Sequence, residues 1–474
     1  MAITSRPLGA ARRWAAPKRG VSTRGDTTRL RVLWLLAVAL LLAGSVWARL
    51  IFWQVIEHDS LTRMAARYHV AELTLPALRG EIRDRAGNPL AINTTVYDVT
   101  LAPRSVPVDR RAQVADGLSG LLGVRRDDVM QQLRSGKGFV YVARRQPKAL
   151  ADEIRRLRLP GVGFDPQKQR AYQPGGVPDV TLGSNLLGFV DYSGHGQYGI
   201  EQRYNGKLSG RTGSLLTYQD SLGNEIRLGN QRRQDAVDGA DLTLTIDSDI
   251  QYAAEQAIAD GVRAAHAQSG SVIVMDSRTG EIAAWADYPA YDANRFGGAD
   301  QARLKDSTVS DLYEPGSVMK VVTLAGAIDQ GKITPAMSIT DPGYIDVGGV
   351  RLHDWNERNN GTVTMTNVLE SSLNVGAVRA EQAEGQDAFL RYLDAFGFGR
   401  GSGIDVSGES VGRLRSSWRP VDLATASYGQ GVNVNMVQMV GAINVMANQG
   451  RWVQPHVVAR VGATPVAAPA TRQV

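Results

Sequence analysis

Apolar and polar positions divide this chain into stretches of different period. The first stands apart. From Val32 to Ala48 no charge appears, and after Arg49 a second apolar run follows, Leu50-Ile51-Phe52-Trp53. A run of this length can span a bilayer as a helix, and Trp34, Trp47 and Trp53 suit the membrane interfaces. It is longer than a typical signal-peptide core, and no clear Ala-x-Ala cleavage site follows it, so an uncleaved anchor over 32–53 is expected. Further on, helical periodicity marks Arg111–Leu122, Arg126–Leu133 and Pro147–Leu157, with short strands at Thr95–Thr100 and Gly138–Ala143 between them. Arg79–Ala91 reads as a strand, a Gly-Asn turn and a second strand, a pattern that a solvated hairpin also shows. Gly199–Asn205 is a second ordered patch. Residues 54–239 hold no catalytic constellation and read as a mixed α/β scaffold or interaction surface.

The pattern changes near Asp241. Leu242–Ile246 alternates like a strand, Asp247 is placed to cap a helix over Ser248–Gln268, and strands follow at Ser271–Met275 and Ile282–Trp285, joined by a turn-rich link. A sheet of this kind offers a face for the most apolar helix of the chain, which opens at Tyr313-Glu314-Pro315-Gly316-Ser317-Val318-Met319-Lys320 and runs through Ile328. From Val318 onward it is apolar on nearly every face, which places it inside a domain. Thr364–Leu369 begins another helical stretch, leading into Glu370-Ser371-Ser372-Leu373-Asn374.

Composition narrows the function classes. The 474 residues suffice for two or three domains, and 21% charged with 43% hydrophobic residues is ordinary for a globular protein. There is no cysteine, which excludes disulfides and thiolate chemistry. The six histidines stand far apart without ligand spacing, so no metal is expected, and nothing points to a cofactor. The net charge of +6 would fit nucleic acid, but it resides in the N-terminal tail, where Arg6, Arg12, Arg13, Lys18, Arg19, Arg24, Arg29 and Arg31 oppose only Asp26. The remainder is close to neutral, so no nucleic-acid partner is expected. A basic flank before an apolar helix instead keeps the N-terminus in the cytoplasm and everything after Trp53 outside.

The candidate chemistry lies at the start of the apolar helix. Ser317 and Lys320 are three positions apart and share a helical face, with Leu324 and Ala327 continuing that face. Lysine is rarely buried unless paired or functional, and desolvation lowers its pKa towards that of a base active near neutral pH. A serine hydroxyl beside such an amine is an activated nucleophile, and the positive end of the helix dipole favours a developing oxyanion. Ser-x-x-Lys alone also arises by chance in long chains. Ser372 and Asn374 place a hydroxyl and an amide two positions apart; the pattern is as common in a plain turn or cap, but facing Ser317 and Lys320 it could relay a proton and orient a carbonyl.

Taken together these stretches resemble the class B penicillin-binding proteins, membrane-anchored D,D-transpeptidases of peptidoglycan synthesis. Arg79–Ala91 and Gly199–Asn205 are similar to signatures of the family's pedestal, Leu244–Asp247 and Pro289–Asn294 to the opening of its catalytic domain, and Tyr313–Lys320 and Ser372–Asn374 to its first two active-site motifs. The resemblance implies a membrane-anchored multidomain α+β protein: a basic tail over 1–31, the anchor over 32–53, a mixed α/β pedestal or dimerisation domain over 54–239, and a transpeptidase (serine β-lactamase-like) domain over 240–474 with a central antiparallel sheet packed by helices. It further implies that Ser317 attacks the D-Ala-D-Ala carbonyl, that Lys320 takes its proton, that Ser372 relays protons to the departing D-alanine, and that Asn374 holds the peptide. The implied partners are peptidoglycan stem peptides, β-lactams, the membrane, a glycosyltransferase and other division proteins. The Ser-x-Asn form points towards the septal, cell-division branch, and no glycosyltransferase signature appears in the pedestal, which argues against the bifunctional class A proteins.

One feature departs from the family pattern. No lysine occurs after Lys332, so the third motif, Lys-Thr-Gly or Lys-Ser-Gly, is absent from these residues, and Arg211-Thr212-Gly213 lies far upstream. The expectation is a transpeptidase domain incomplete before that motif and slow in turnover. A non-catalytic membrane scaffold of the division or elongation machinery is the alternative, and a class D β-lactamase or β-lactam sensor fits the large pedestal poorly.

Overall fold

The computed structural model describes residues 24–61, 70–219, 225–226 and 232–474. The basic residues from Arg6 to Arg19 lie outside the described residues. The chain forms two compact units, one of residues 1–74 with 214–234, the other of residues 75–213 with 235–474.

In the first unit the apolar run forms one helix, Arg24–Ile51, continued by a π-helical turn, Phe52–Ile56. Its apolar side chains are exposed among the described residues: Leu35 is 70% exposed and Leu41 74%. The 28 residues of Arg29–Ile56 rise about 1.5 Å each, enough to cross a hydrocarbon core of about 30 Å. The same unit holds a four-stranded sheet in which Gly213–Gln219 pairs with Val70–Leu75, Arg232–Gln234 and Glu225–Ile226.

The second unit is built on a seven-stranded sheet. Its longest strand, Pro89–Leu101, pairs antiparallel with Val162–Tyr172, from Ala91 opposite Tyr172 to Leu101 opposite Val162. Val140–Pro147 pairs on its other side. The helices Arg111–Leu122, Arg126–Arg134 and Lys148–Arg156 cover one face. They bury Val114, Leu118, Val129, Leu133 and Ile154 against Val99 and Leu101. These are the helices expected from periodicity, with ends shifted by a residue.

The hairpin of Ile82–Arg83 and Pro89–Leu101 is not solvated. Ile82 is fully buried, and the Asp84 carboxylate accepts hydrogen bonds from the backbone N–H groups of Ala86 (2.9 Å) and Asn88 (2.8 Å), from the Asn88 side chain, and from Ser248 Oγ at 2.6 Å. These bonds hold the Asp84 carboxyl below the usual range, against the upward effect of its burial.

Leu242–Leu244 does not open a separate sheet. It pairs parallel with Ile82–Arg83 and antiparallel with Val458–Val461. Asp247 caps Ser248–Ala264, accepting from the backbone of Asp249 and Ile250. That helix covers the antiparallel pair Gly270–Met275 and Ile282–Tyr288, which among the described residues represents the expected central sheet. The apolar helix Met319–Asp329 packs mainly among other helices. Met319 and Val322 join Phe389, Leu393 and Phe396, while Leu324 and Ala327 join Val368, Leu373 and Ala380.

Candidate active site

Pro315 leads into a 3₁₀ turn, Gly316–Val318, that passes directly into Met319–Asp329. Gly316 takes a left-handed φ of 59°. This places Ser317 at the exposed end of the helix and Lys320 one turn inward, where it is 1% exposed. The Lys320 Nζ lies 3.2 Å from Ser317 Oγ, 3.1 Å from Ser372 Oγ and 2.6 Å from the Ser372 carbonyl oxygen. Ser372 Oγ donates to Ser317 Oγ at 2.8 Å. Three residues from two segments therefore meet in one hydrogen-bonded triangle. Burial pulls the Lys320 amine down to about 8, and the negative charge of Asp354 opposes that pull. A lysine with this pKa is partly unprotonated near neutral pH, 3.2 Å from a hydroxyl it could deprotonate.

Asn374 stands apart from the triangle. Its side-chain amide donates to the His353 carbonyl at 2.9 Å, and it opens the helix Asn374–Glu384. An amide NH₂ has two donors, so one remains after that bond.

Two groups of residues around the site escaped the sequence reading. Gly429, with φ 83°, meets the nucleophile turn so closely that a Cβ there would lie 2.1 Å from the Gly316 carbonyl oxygen. Gly316 N–H donates to the Gly429 carbonyl at 3.1 Å, Gly431 N–H to Glu314 Oε1 at 2.7 Å, and Thr323 Oγ1 to the Ser427 carbonyl at 2.8 Å. The Gly-x-Gly spacing was visible, but its partner lies more than 100 residues earlier. The other group, His353-Asp354-Trp355, borders the Ser372 turn and carried no periodic signal.

Comparisons with known proteins identify two family domains in this chain. Residues 74–244 match the penicillin-binding protein dimerisation domain, and residues 270–474 the penicillin-binding protein transpeptidase domain. The chain belongs to the class B penicillin-binding proteins, the transpeptidases that carry a dimerisation domain. It is 31% identical to the penicillin-binding protein PbpB of Mycobacterium tuberculosis over 459 residues, covering 92% of this chain and 67% of that one. It is 30% identical over 420 residues to a probable peptidoglycan D,D-transpeptidase, PenA, of Neisseria meningitidis, covering 88% of this chain and 71% of that one. Among solved structures it resembles penicillin-binding protein 3 of M. tuberculosis in complex with aztreonam, with a TM-score of 0.63 at 25% identity, covering 85% of this chain and 72% of that one. The chain spans about two thirds of the length of the curated relatives it matches.

Proposed function

We propose that this chain is an acyl-serine D,D-transpeptidase that cross-links peptidoglycan stem peptides during septal wall synthesis and is acylated by β-lactams. The observation that carries the reading is the triangle of Ser317, Lys320 and Ser372. In this scheme the neutral Lys320 amine takes the Ser317 proton as Oγ attacks the carbonyl of the penultimate D-alanine. The helix N-terminus favours the oxyanion that forms. The carbonyl–nitrogen bond then breaks, and the proton passes from Lys320 through the Ser372 hydroxyl to the leaving D-alanine amine. An acceptor amine from a second stem peptide attacks the acyl-serine, and Ser317 recovers its proton by the reverse path. Asn374 supplies a free amide N–H to the donor peptide. The septal assignment rests on the Ser-x-Asn form of the second motif.

The anchor 32–53 holds the chain in the membrane with its N-terminus in the cytoplasm. The pedestal, 54–239, meets division partners such as a glycosyltransferase, and 240–474 carries the chemistry. Labelling the chain in detergent with fluorescent penicillin tests the catalytic reading. One adduct mapped to Ser317, absent in Ser317→Ala, is expected. An adduct at another serine in Ser317→Ala would sink the assignment, and no adduct in the unaltered chain would favour a non-catalytic membrane scaffold.

A further inference from the structure

Ser372 sits at φ 54°, in the left-handed region, which a serine keeps only where its surroundings over-determine it. Here the surroundings are three consecutive residues that end and leave the hairpin Tyr344–Val347/Val350–His353. The His353 carbonyl accepts from the Asn374 side chain at 2.9 Å. Asp354 Oδ1 accepts from the backbone N–H groups of Asn374 at 2.5 Å and Val375 at 3.0 Å. Trp355 Nε1 donates to the Ser371 carbonyl at 2.9 Å. The turn that carries Ser372 is thus held on both sides.

Asp354 is the charged member of this clamp, and it is 2% exposed. A carboxylate against the first N–H groups of Asn374–Glu384 is where a helix stabilises an anion. Its Oδ2 accepts from Asn360 Nδ2 at 3.0 Å and faces the fully buried Asp341. Asp341 Oδ1 accepts from Gly343 N–H at 2.8 Å, while its Oδ2 has no donor among the described residues. Burial and the neighbouring Asp354 push Asp341 up.

We propose that Asp354 is a positioning residue of the acylation site: a buried carboxylate that clamps the turn Ser372–Asn374 and stabilises the ammonium form of Lys320. The proposal rests on the reading of Ser317 and Lys320 given above. Other charged groups stand on the elements around Lys320: Asp329 on its own helix, Glu370 before the turn, and Arg379, Glu381 and Glu384 on the helix after it. Asp387, Arg391 and Asp394 stand on the helix Gln386–Phe396 that packs beside it, while burial lowers Lys320 and Asp354 opposes that shift.

The test uses the full chain with ¹³Cε-labelled lysine, the Lys320 signal being assigned by its loss in Lys320→Met. Asp354→Asn keeps an oxygen acceptor for the two N–H groups and removes the charge. It is expected to move the Lys320 titration midpoint to lower pH. Asp346→Asn removes an exposed carboxylate from the same hairpin and is expected to leave that midpoint in place. Asp354→Ala removes acceptor and charge, and its acylation by penicillin at Ser317 is expected to fall on the order of 100-fold through misplacement of Ser372. An unmoved Lys320 midpoint in Asp354→Asn, or full acylation in a folded Asp354→Ala, would overturn the proposal. If Asp354→Ala does not fold, the Asp354→Asn titration decides. If the unaltered chain is not acylated at all, the reading of Ser317 fails, while the Lys320 titration still judges the role of Asp354.

Discussion

Glu201 is fully buried with its two carboxylate oxygens divided between two arginines: Arg170 Nε donates to Oε1 at 2.8 Å, and Arg79 Nε donates to Oε2 at 2.8 Å. Arg79 Nη2 donates to Oε2 as well, Tyr172 Oη adds a bond to Oε1 at 3.2 Å, and Asn205 Oδ1 accepts from Arg79 at 2.9 Å. Two motifs of the sequence, Arg79–Ala91 and Gly199–Asn205, therefore meet at one ion cluster, and the strand Val162–Tyr172 supplies the third element. Removing one member of a buried ion pair leaves the rest uncompensated, which costs about 3–5 kcal/mol. Glu201→Ala should lower the urea unfolding midpoint accordingly, and Glu201→Gln by less, since an amide oxygen still accepts. A Glu201→Ala protein with an unchanged midpoint would contradict this account.

The Lys320 shift predicts opposite effects on stability and on acylation. The ordinary lysine value is 10.5 and the folded value about 8, so between those pH values the unfolded chain holds a proton that the folded chain has released. Stability contributed by this residue therefore rises with pH across that window, and below it the buried ammonium is a cost. Lys320→Met should raise the melting temperature at pH 7 while lowering penicillin acylation by about 100-fold or more. In the unaltered chain the acylation rate should climb with pH to a plateau above about 8. A pH-independent rate between 6 and 9 would remove Lys320 as the base.

Glu384 carries the reverse sign. Burial, with Glu381 beside it adding like charge, raises its carboxyl to about 7, and burial raises Glu381 to about 7 as well. The folded state then binds more protons than the unfolded one between the ordinary value of 4.5 and about 7. Stability falls as pH rises through that window, and the cost is complete above it. Glu384 Oε2 has no hydrogen-bond partner among the described residues, while Oε1 accepts from Gln330 at 3.1 Å. Melting curves of Glu384→Gln should show a gain over the unaltered chain at pH 8 that shrinks at pH 5. Equal gains at both pH values would mean that ionisation is not the cause.

Gly429 tests how tightly the nucleophile turn is held. A methyl group there meets the Gly316 carbonyl oxygen at 2.1 Å, and the φ of 83° is itself strained for alanine. Gly429→Ala should displace Ser317 and lower acylation by roughly 100-fold, with a smaller change at Gly431→Ala, where the nearest atoms lie 3.7 Å or more away. Equal rates in the two variants would show that Gly429 does not set the position of Ser317.

Several parts of this protein were determined by local sequence alone. The N-terminal apolar helix was readable because a long apolar run of this kind is helical wherever it is placed out of water. The pedestal helices were readable because Val114 and Leu118, and Val129 and Leu133, are each four positions apart within one helix. Ser317 and Lys320 share a face through helix geometry, so their proximity follows from a separation of three. Other features depend on partners far away in the chain. The hairpin Arg79–Ala91 looks exposed as a string of charges, yet Arg79 and Asp84 are satisfied by residues 122 and 164 positions later. Leu242–Leu244 has the alternation of a strand that begins a domain, but a period of two carries no information on which neighbour it joins, and it joins Ile82–Arg83. The approach of Ser372 to Ser317 spans 55 positions, the Asp354 bond to Asn374 spans 20, and the Gly429 contact joins a loop to a turn. Hydrogen bonds and steric contacts act over a few ångströms, so their energies depend on where the chain returns in space, and only the packed tertiary structure decides that.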